Sequence, residues 1–265
     1  MSFFLHHKSW VTVEEELRIG DTVILPLGSM EAHGPHKPVG CCYLLAEASS
    51  RDVGRRTGIP VTPVIPFGVS YSYKNFPGTM TVSSETLSRY VYEACQGLVR
   101  TGFKKIAFFS AHGGENLSVL RELSLKLRDE SEVLCTVLHI WGLVSLFAPS
   151  GFWEPGQRMG HGGDPTTSVM LYLHPELVDM SRAVSTPLRQ PFEGLRTTSY
   201  STHEFKGLPL TVSLFAEEVE TSGLMGDPTK ASAEKGKILY NKMIDYLAEF
   251  MEVFKKLDPS AGKKS

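Results

Sequence analysis

Apolar and polar positions along this chain fall into blocks that alternate between strand and helix periods. Thr22–Leu27 (TVILPL) is apolar on both faces and predicts a buried strand. Tyr43–Thr57 predicts a helix with Leu44, Leu45, Ala48 and Val53 on its inner face. Val61–Ile65 predicts a second strand, followed by a polar loop from Phe67 to Met80. Ser84–Thr101 has the period of an amphipathic helix, with Ser83 or Ser84 as N-cap and Gly102 at its C-terminal end. Lys104–Ser110 predicts a third strand, Asn116–Asp129 a helix and Glu132–Ile140 a fourth strand. Trp141–Arg158, rich in Gly, Pro and aromatic residues, predicts a loop or short helix covering a site. Thr166–Leu173 opens another helix, and residues 185–215 are weakly patterned, with one or two edge strands expected. Lys230–Lys256 predicts a long amphipathic closing helix, and the polar tail at 258–265 is expected to fray.

Strands alternating with helices predict an α/β fold, a three-layer α/β/α sandwich with a mostly parallel sheet. A length of 265 residues suits one domain over 1–265. In such sheets ligands bind beyond the carboxyl ends of the strands. Three polar clusters fall there: Glu31/His33/His36, Ser110–Asn116 around His112, and Gly160–Asp164 around His161. The glycine pairs after His112 and His161 let backbone approach a bound group closely. Each pair also stands at a predicted helix N-terminus, which favours anions.

Composition narrows the field. A formal charge of −2 with scattered basic residues gives no support for a nucleic-acid partner. No apolar stretch approaches the roughly 20 residues of a membrane span, and Phe3-Phe4-Leu5 is too short for a signal sequence. Cys41, Cys42, Cys95 and Cys135 show no CxxC spacing, so a reducing cytoplasm is the expected location. No GxSxG, P-loop or GxGxxG motif is present, which leaves hydride transfer on a dinucleotide unsupported.

Glu31 and His33 alternate with Ala32, so in extended backbone both side chains leave one face. An oxygen and a nitrogen donor converging from a strand end is how many divalent metal sites begin. His112 and His161 are candidates to complete such a site, and His36 either joins it or holds its loop. His6, His7, His139, His174 and His203 have no supporting neighbours and read as structural or solvated. Cys42 reads as a small buried hydrophobe or, beside a metal, as a soft ligand. Trp141 and Trp153 are candidate aromatic walls for a small planar substrate.

Several blocks occur in a telling order. Leu25-Pro26-Leu27-Gly28-Ser29 leads into Glu31-Ala32-His33-Gly34-Pro35-His36, and later come Phe76-Pro77-Gly78-Thr79, His112-Gly113-Gly114, and His161 with Thr167-Ser168. Gly226-Asp227-Pro228, Ala231 and Glu234-Lys235-Gly236 close the series. Over most of its length the chain thereby resembles the creatininase (creatinine amidohydrolase) family. That resemblance implies a three-layer α/β fold and a homo-oligomer, a hexamer being one option. It also implies a two-metal site hydrolysing cyclic amides or related C–N bonds in a small-molecule substrate. It puts metal ligands at Glu31, His33 and His112, with Glu115 available in the same loop. The family's bridging aspartate falls on Cys42, the carboxylate before its Thr-Ser pair on Thr166, and its Glu-His pair on Ser72 and Tyr73, which would then face the substrate. Asp164 is a compensating carboxylate, and His161 with Asp164 would move a proton to the leaving nitrogen. One or two divalent ions are implied; a thiolate at Cys42 points to zinc, with manganese or iron as alternatives.

Overall fold

Strand β1 (Thr22–Leu27) is buried along its whole length and sets the frame of the protein. In this computed structural model, which describes residues 2–261, it pairs in parallel with β2 (Lys105–Ser110), and β2 pairs in parallel with β3 (Leu134–His139). Register places Val23 opposite Ile106 and Leu25 opposite Phe108, and these side chains all enter one core. Ile24 and Ala107, one residue along each strand, enter the other. That alternation is the two-residue period of a strand with both faces covered.

The helices divide between the two faces. Helix α3 (Ser84–Thr101) buries Leu87, Val91 and Cys95, and α4 (Glu115–Ser131) buries Leu120, Leu123 and Leu127, against the Val23/Phe108 face. Helix α2 (Cys41–Thr57) covers the opposite face with Leu45, Ala48 and Val53. Four elements still unlabelled, in chain order, are α5 (Ile140–Leu146), α6 (Thr166–Leu173), the four-residue α7 (Ala216–Val219) and α8 (Ala233–Phe254); α1 (Trp10–Leu17) precedes the sheet. Helix α8 sets Leu239, Met243, Leu247 and Met251 on one stripe of the same core as α2. The three-layer α/β arrangement expected from the sequence is present.

The predicted second strand departs from expectation. Residues 61 and 65 lie parallel to β1 through bridges to Ile24 and Leu27, and Phe4 pairs with Val61 on the outer side. Pro60, Pro63 and Pro66 lack amide hydrogens, so the segment makes isolated bridges instead of a continuous ladder. Its placement still matters: β1 is flanked by the segment that follows it and, on its other side, by the later β2. The crevice at the end of β1 is therefore a topological switch point, where open sheets of this kind bind ligands. Within 185–215 the chain forms a separate antiparallel sheet of β4 (Arg196–Thr197), β5 (Thr202–Phe205) and β6 (Leu208–Thr211). Lys206 and Gly207 at its tight turn both have positive φ, the geometry a two-residue hairpin needs. Of the tail expected to fray, 262–265 lie outside the described residues, while the carbonyls of Pro259 and Ala261 accept hydrogen bonds from Arg128.

Helices α6 and α8 approach closely at Gly236, where a Cβ atom would lie 1.9 Å from the Ser168 carbonyl oxygen. Gly236→Ala must push the two helices apart, and overpacking of this kind costs about 1–3 kcal/mol. Urea unfolding of Gly236→Ala is expected to show that loss; unchanged stability would refute the close contact.

Candidate active site

The carboxyl ends of β1, β2 and β3 open into a cavity of about 290 Å³ lined by Glu31, His33, Cys42, His112, His139 and His161, among others. The loop after β1 is pinned on both sides. Glu31 donates its amide to the Val39 carbonyl (2.8 Å), and the Met30 carbonyl accepts from Met80 (2.9 Å). This fixes Glu31 and His33, only 4% and 3% exposed, against the cavity.

Hydrogen bonds to backbone carbonyls set the ring orientations. His33 Nδ1 donates to the Glu31 carbonyl at 2.9 Å, which leaves Nε2 bare. His161 Nε2 donates to the Ala32 carbonyl at 2.7 Å, which leaves Nδ1 bare and 3.6 Å from Glu31 Oε1. One donor atom each from Glu31, His33 and His161 falls within 4.8 Å of the others. Burial, followed by the charges of His161 and Lys37, holds the His33 pKa well below its ordinary value. Burial lowers His161 too, against the pull of Glu31 and the Ala32 carbonyl. A buried and a half-buried imidazole, both neutral, and a carboxylate, with each ring tethered through its second nitrogen, fit a divalent cation.

His112 is held differently. Its Nε2 donates to the Val69 carbonyl (2.9 Å) and lies 3.7 Å from Glu31 Oε2, while Nδ1 lies 3.1 Å from Ser29 Oγ. Burial opposes its protonation, yet Glu31, Cys42 and the Val69 carbonyl outweigh it and raise the pKa to about 10. Cys42, the second residue of α2, sits between the two histidines. Its sulfur is 3.6 Å from His33 Nε2 and 3.8 Å from His112 Nδ1, and it accepts the Trp141 indole N–H at 3.4 Å. Glu115 begins α4 on the exposed rim of the cavity.

Ser72, Tyr73 and Trp141 line the cavity. Tyr73 is 2% exposed, stacks on His161 at 4.3 Å between centroids, and its hydroxyl has no partner among the described residues. Asp164 and Trp153 do not reach the cavity. Asp164, fully buried, accepts from Ser168 Oγ (2.5 Å) and Lys235 Nζ (3.4 Å), so it joins α6 to α8 and has no hydrogen bond to His161 among the described residues. Trp153 packs edge-on against Phe152, outside the cavity lining.

Sequence reasoning missed three features. His139, set aside as structural, ends β3 at the cavity wall, where Gly142 leaves room for its ring. Tyr200 reaches the cavity from the segment between β4 and β5. Lys37 is 7% exposed, and its ammonium donates to Thr166 Oγ1 at 2.7 Å in the cavity wall. A lysine between His36 and Pro38, in a loop rigid enough to hold it inward, was the available signal.

A polar, imidazole-rich cavity at the switch point of a parallel sheet marks the protein as an α/β enzyme. The chain belongs to the creatininase family, whose model, described as creatinine amidohydrolase, matches residues 6–251. It is 30% identical to the creatinine amidohydrolase of Pseudomonas putida over 70% of this chain and 77% of that one. It is 28% identical to the 3-dehydro-scyllo-inosose hydrolase of Thermotoga maritima over 95% of this chain and 83% of that one. It is likewise 28% identical to the mycofactocin precursor peptide peptidase of Mycobacterium ulcerans, over 84% and 82% of the two chains. Among solved structures, creatinine amidohydrolase superposes with a TM-score of 0.80 at 24% identity over 97% of this chain and 99% of that one. A manganese form and a Zn–Zn form of creatininase superpose at 0.79 and 0.77, both at 24% identity over 97% of this chain and 100% of theirs. The protein is a hydrolase of this family.

His36 offers a pH test of the loop. Its Nε2 lies 2.9 Å from Thr167 Oγ1, and burial, then the Lys37 charge, lowers its pKa from 6.5 to about 3. The unfolded chain therefore binds this proton first as pH falls, so stability is complete above pH 6.5 and lost on the way down to 3. Between about pH 6.5 and 4.5 the wild type should lose on the order of 1–2 kcal/mol more than His36→Gln. Urea midpoints at the two pH values check this; equal slopes would refute it.

Proposed function

We propose that this protein hydrolyses a C–N bond in a cyclic amide or related small polar ring, with a divalent cation held by Glu31, His33 and His161. The convergence of three donor atoms within 4.8 Å carries the reading. A bound ion would supply Lewis acidity and lower the pKa of a water towards about 7. Cys42 stands ready as a sulfur donor beside His33, which favours zinc over manganese or iron. The manganese and Zn–Zn forms of the related creatininase structures support a divalent ion of this kind. Glu115 on the rim would carry a proton between the leaving nitrogen and solvent. A cavity of about 290 Å³ suits a small ring better than an extended peptide. The exposed apolar Phe205, Leu208 and Leu210 on β5 and β6 support self-association into a homo-oligomer.

Cys42 and Thr166, where the resemblance expects carboxylates, favour a second reading: a relative that binds its ligand without turning it over. Metal analysis of protein purified without chelator or nickel resin separates the two. Near-stoichiometric metal is expected, and less than roughly a tenth of an ion per chain would overturn the hydrolytic proposal.

Tyr73 gives a sharper test. Burial, then Glu31 and Tyr200, raise its pKa well above the ordinary value, so the phenol remains a donor facing the cavity. It would donate to the substrate carbonyl as negative charge develops there. Tyr73→Phe should lower kcat on a cyclic amide substrate by about 100-fold. Stability should stay level or rise slightly, because the removed hydroxyl has no protein partner. Unchanged kcat would remove Tyr73 from the reaction.

A further inference from the structure

Lys37 is a buried cation without a direct counter-ion. It has no carboxylate within ion-pairing distance among the described residues, and the one side-chain acceptor it meets is the Thr166 hydroxyl, itself donating to the Gly163 carbonyl at 2.7 Å. Charged side chains are rarely buried unless something nearby balances them. Burial lowers the Lys37 pKa to about 8, while Cys41, Cys42 and, beyond ion-pairing distance, Asp164 favour its charge; that charge in turn opposes protonation of His33 and His161.

The ammonium also lies where the resemblance expects negative charge. Of the two carboxylates anticipated there, one position is the thiol of Cys42 and the other is Thr166, the residue Lys37 touches. The remaining donors do not make a second set. His112 has Nε2 engaged by Val69 and Nδ1 by Ser29, and among the described residues the convergent trio is Glu31, His33 and His161.

We propose that the Lys37 ammonium, seated on Thr166, takes the place of a second metal cation, so that the site holds a single divalent ion on Glu31, His33 and His161. This rests on the metal reading above and specifies its ion count. A second dication would enter a region that has exchanged two carboxylates for a cysteine and a threonine and gained a positive charge. Coulomb repulsion then opposes what ligand loss alone would only weaken.

The test is Mn²⁺ loading of the full chain, with free metal removed, followed by elemental analysis and electron paramagnetic resonance. Wild type should saturate at about one manganese per chain with the six-line signal of an isolated ion. Cys42→Asp should also stop at one, because Lys37 remains. Lys37→Met combined with Cys42→Asp should take up a second ion and show exchange-coupled signals; Lys37→Gln substitutes if the methionine variant does not fold. Two ions in wild type or in Cys42→Asp would overturn the proposal. So would a folded double variant that stays at one. A wild type that retains neither manganese nor, in a parallel loading, zinc would instead bring down the metal reading itself.

Discussion

The carbonyls of Glu31 and Ala32 decide what the cavity can do. Each accepts a ring N–H, one from His33 and the other from His161, and each thereby turns the opposite nitrogen of that ring bare toward the cavity. A histidine loop without these two acceptors would be free to rotate its rings and present either tautomer. The backbone that supplies the carbonyls is in turn held by Val39 and Met80, so the orientation of two side chains depends on a short pinned stretch after β1.

The rest of the fold serves to deliver groups to that stretch. His112 arrives from the end of β2, His139 from the end of β3, Cys42 from the first turn of α2 and Thr166 from the first residue of α6. All these origins lie at the carboxyl side of the sheet, and the order reversal at β1 leaves the space between them open. Charge in this space is sparse: one buried carboxylate, Glu31, faces several imidazoles, with the Lys37 ammonium behind Thr166 in the wall. That excess of nitrogen over oxygen sets the chain apart from what its resemblance to two-metal hydrolases implies.

Much of this was legible in the sequence. Thr22–Leu27, Ser84–Thr101 and Thr166–Leu173 have the limits expected, because a doubly buried strand and well-capped helices announce themselves locally. Glu31, His33, Cys42, His112 and His161 share one cavity because strand ends in a parallel sheet share one rim. What was hidden depends on direction. Asp164 follows His161 by three residues, yet its side chain turns into the seam between α6 and α8, and spacing in a loop carries no information about that turn. Lys37 was passed over for the opposite reason, since an exposed lysine is the ordinary expectation and only the packing of the loop draws it inward.

The seam itself bears on how the protein is made. Ser168 Oγ accepts the amide of Ser232, Asp164 accepts from Lys235, and Gly236 seats against Ser168, all bridging some 64 to 71 positions of sequence. The wall that presents Thr166 to the cavity is therefore braced by residues synthesised long after it. During translation the sheet and its first helices can form early, whereas the cavity wall gains its brace only once the last helix has left the ribosome. A nascent chain thus lacks this brace on its active-site wall until α8 has been made.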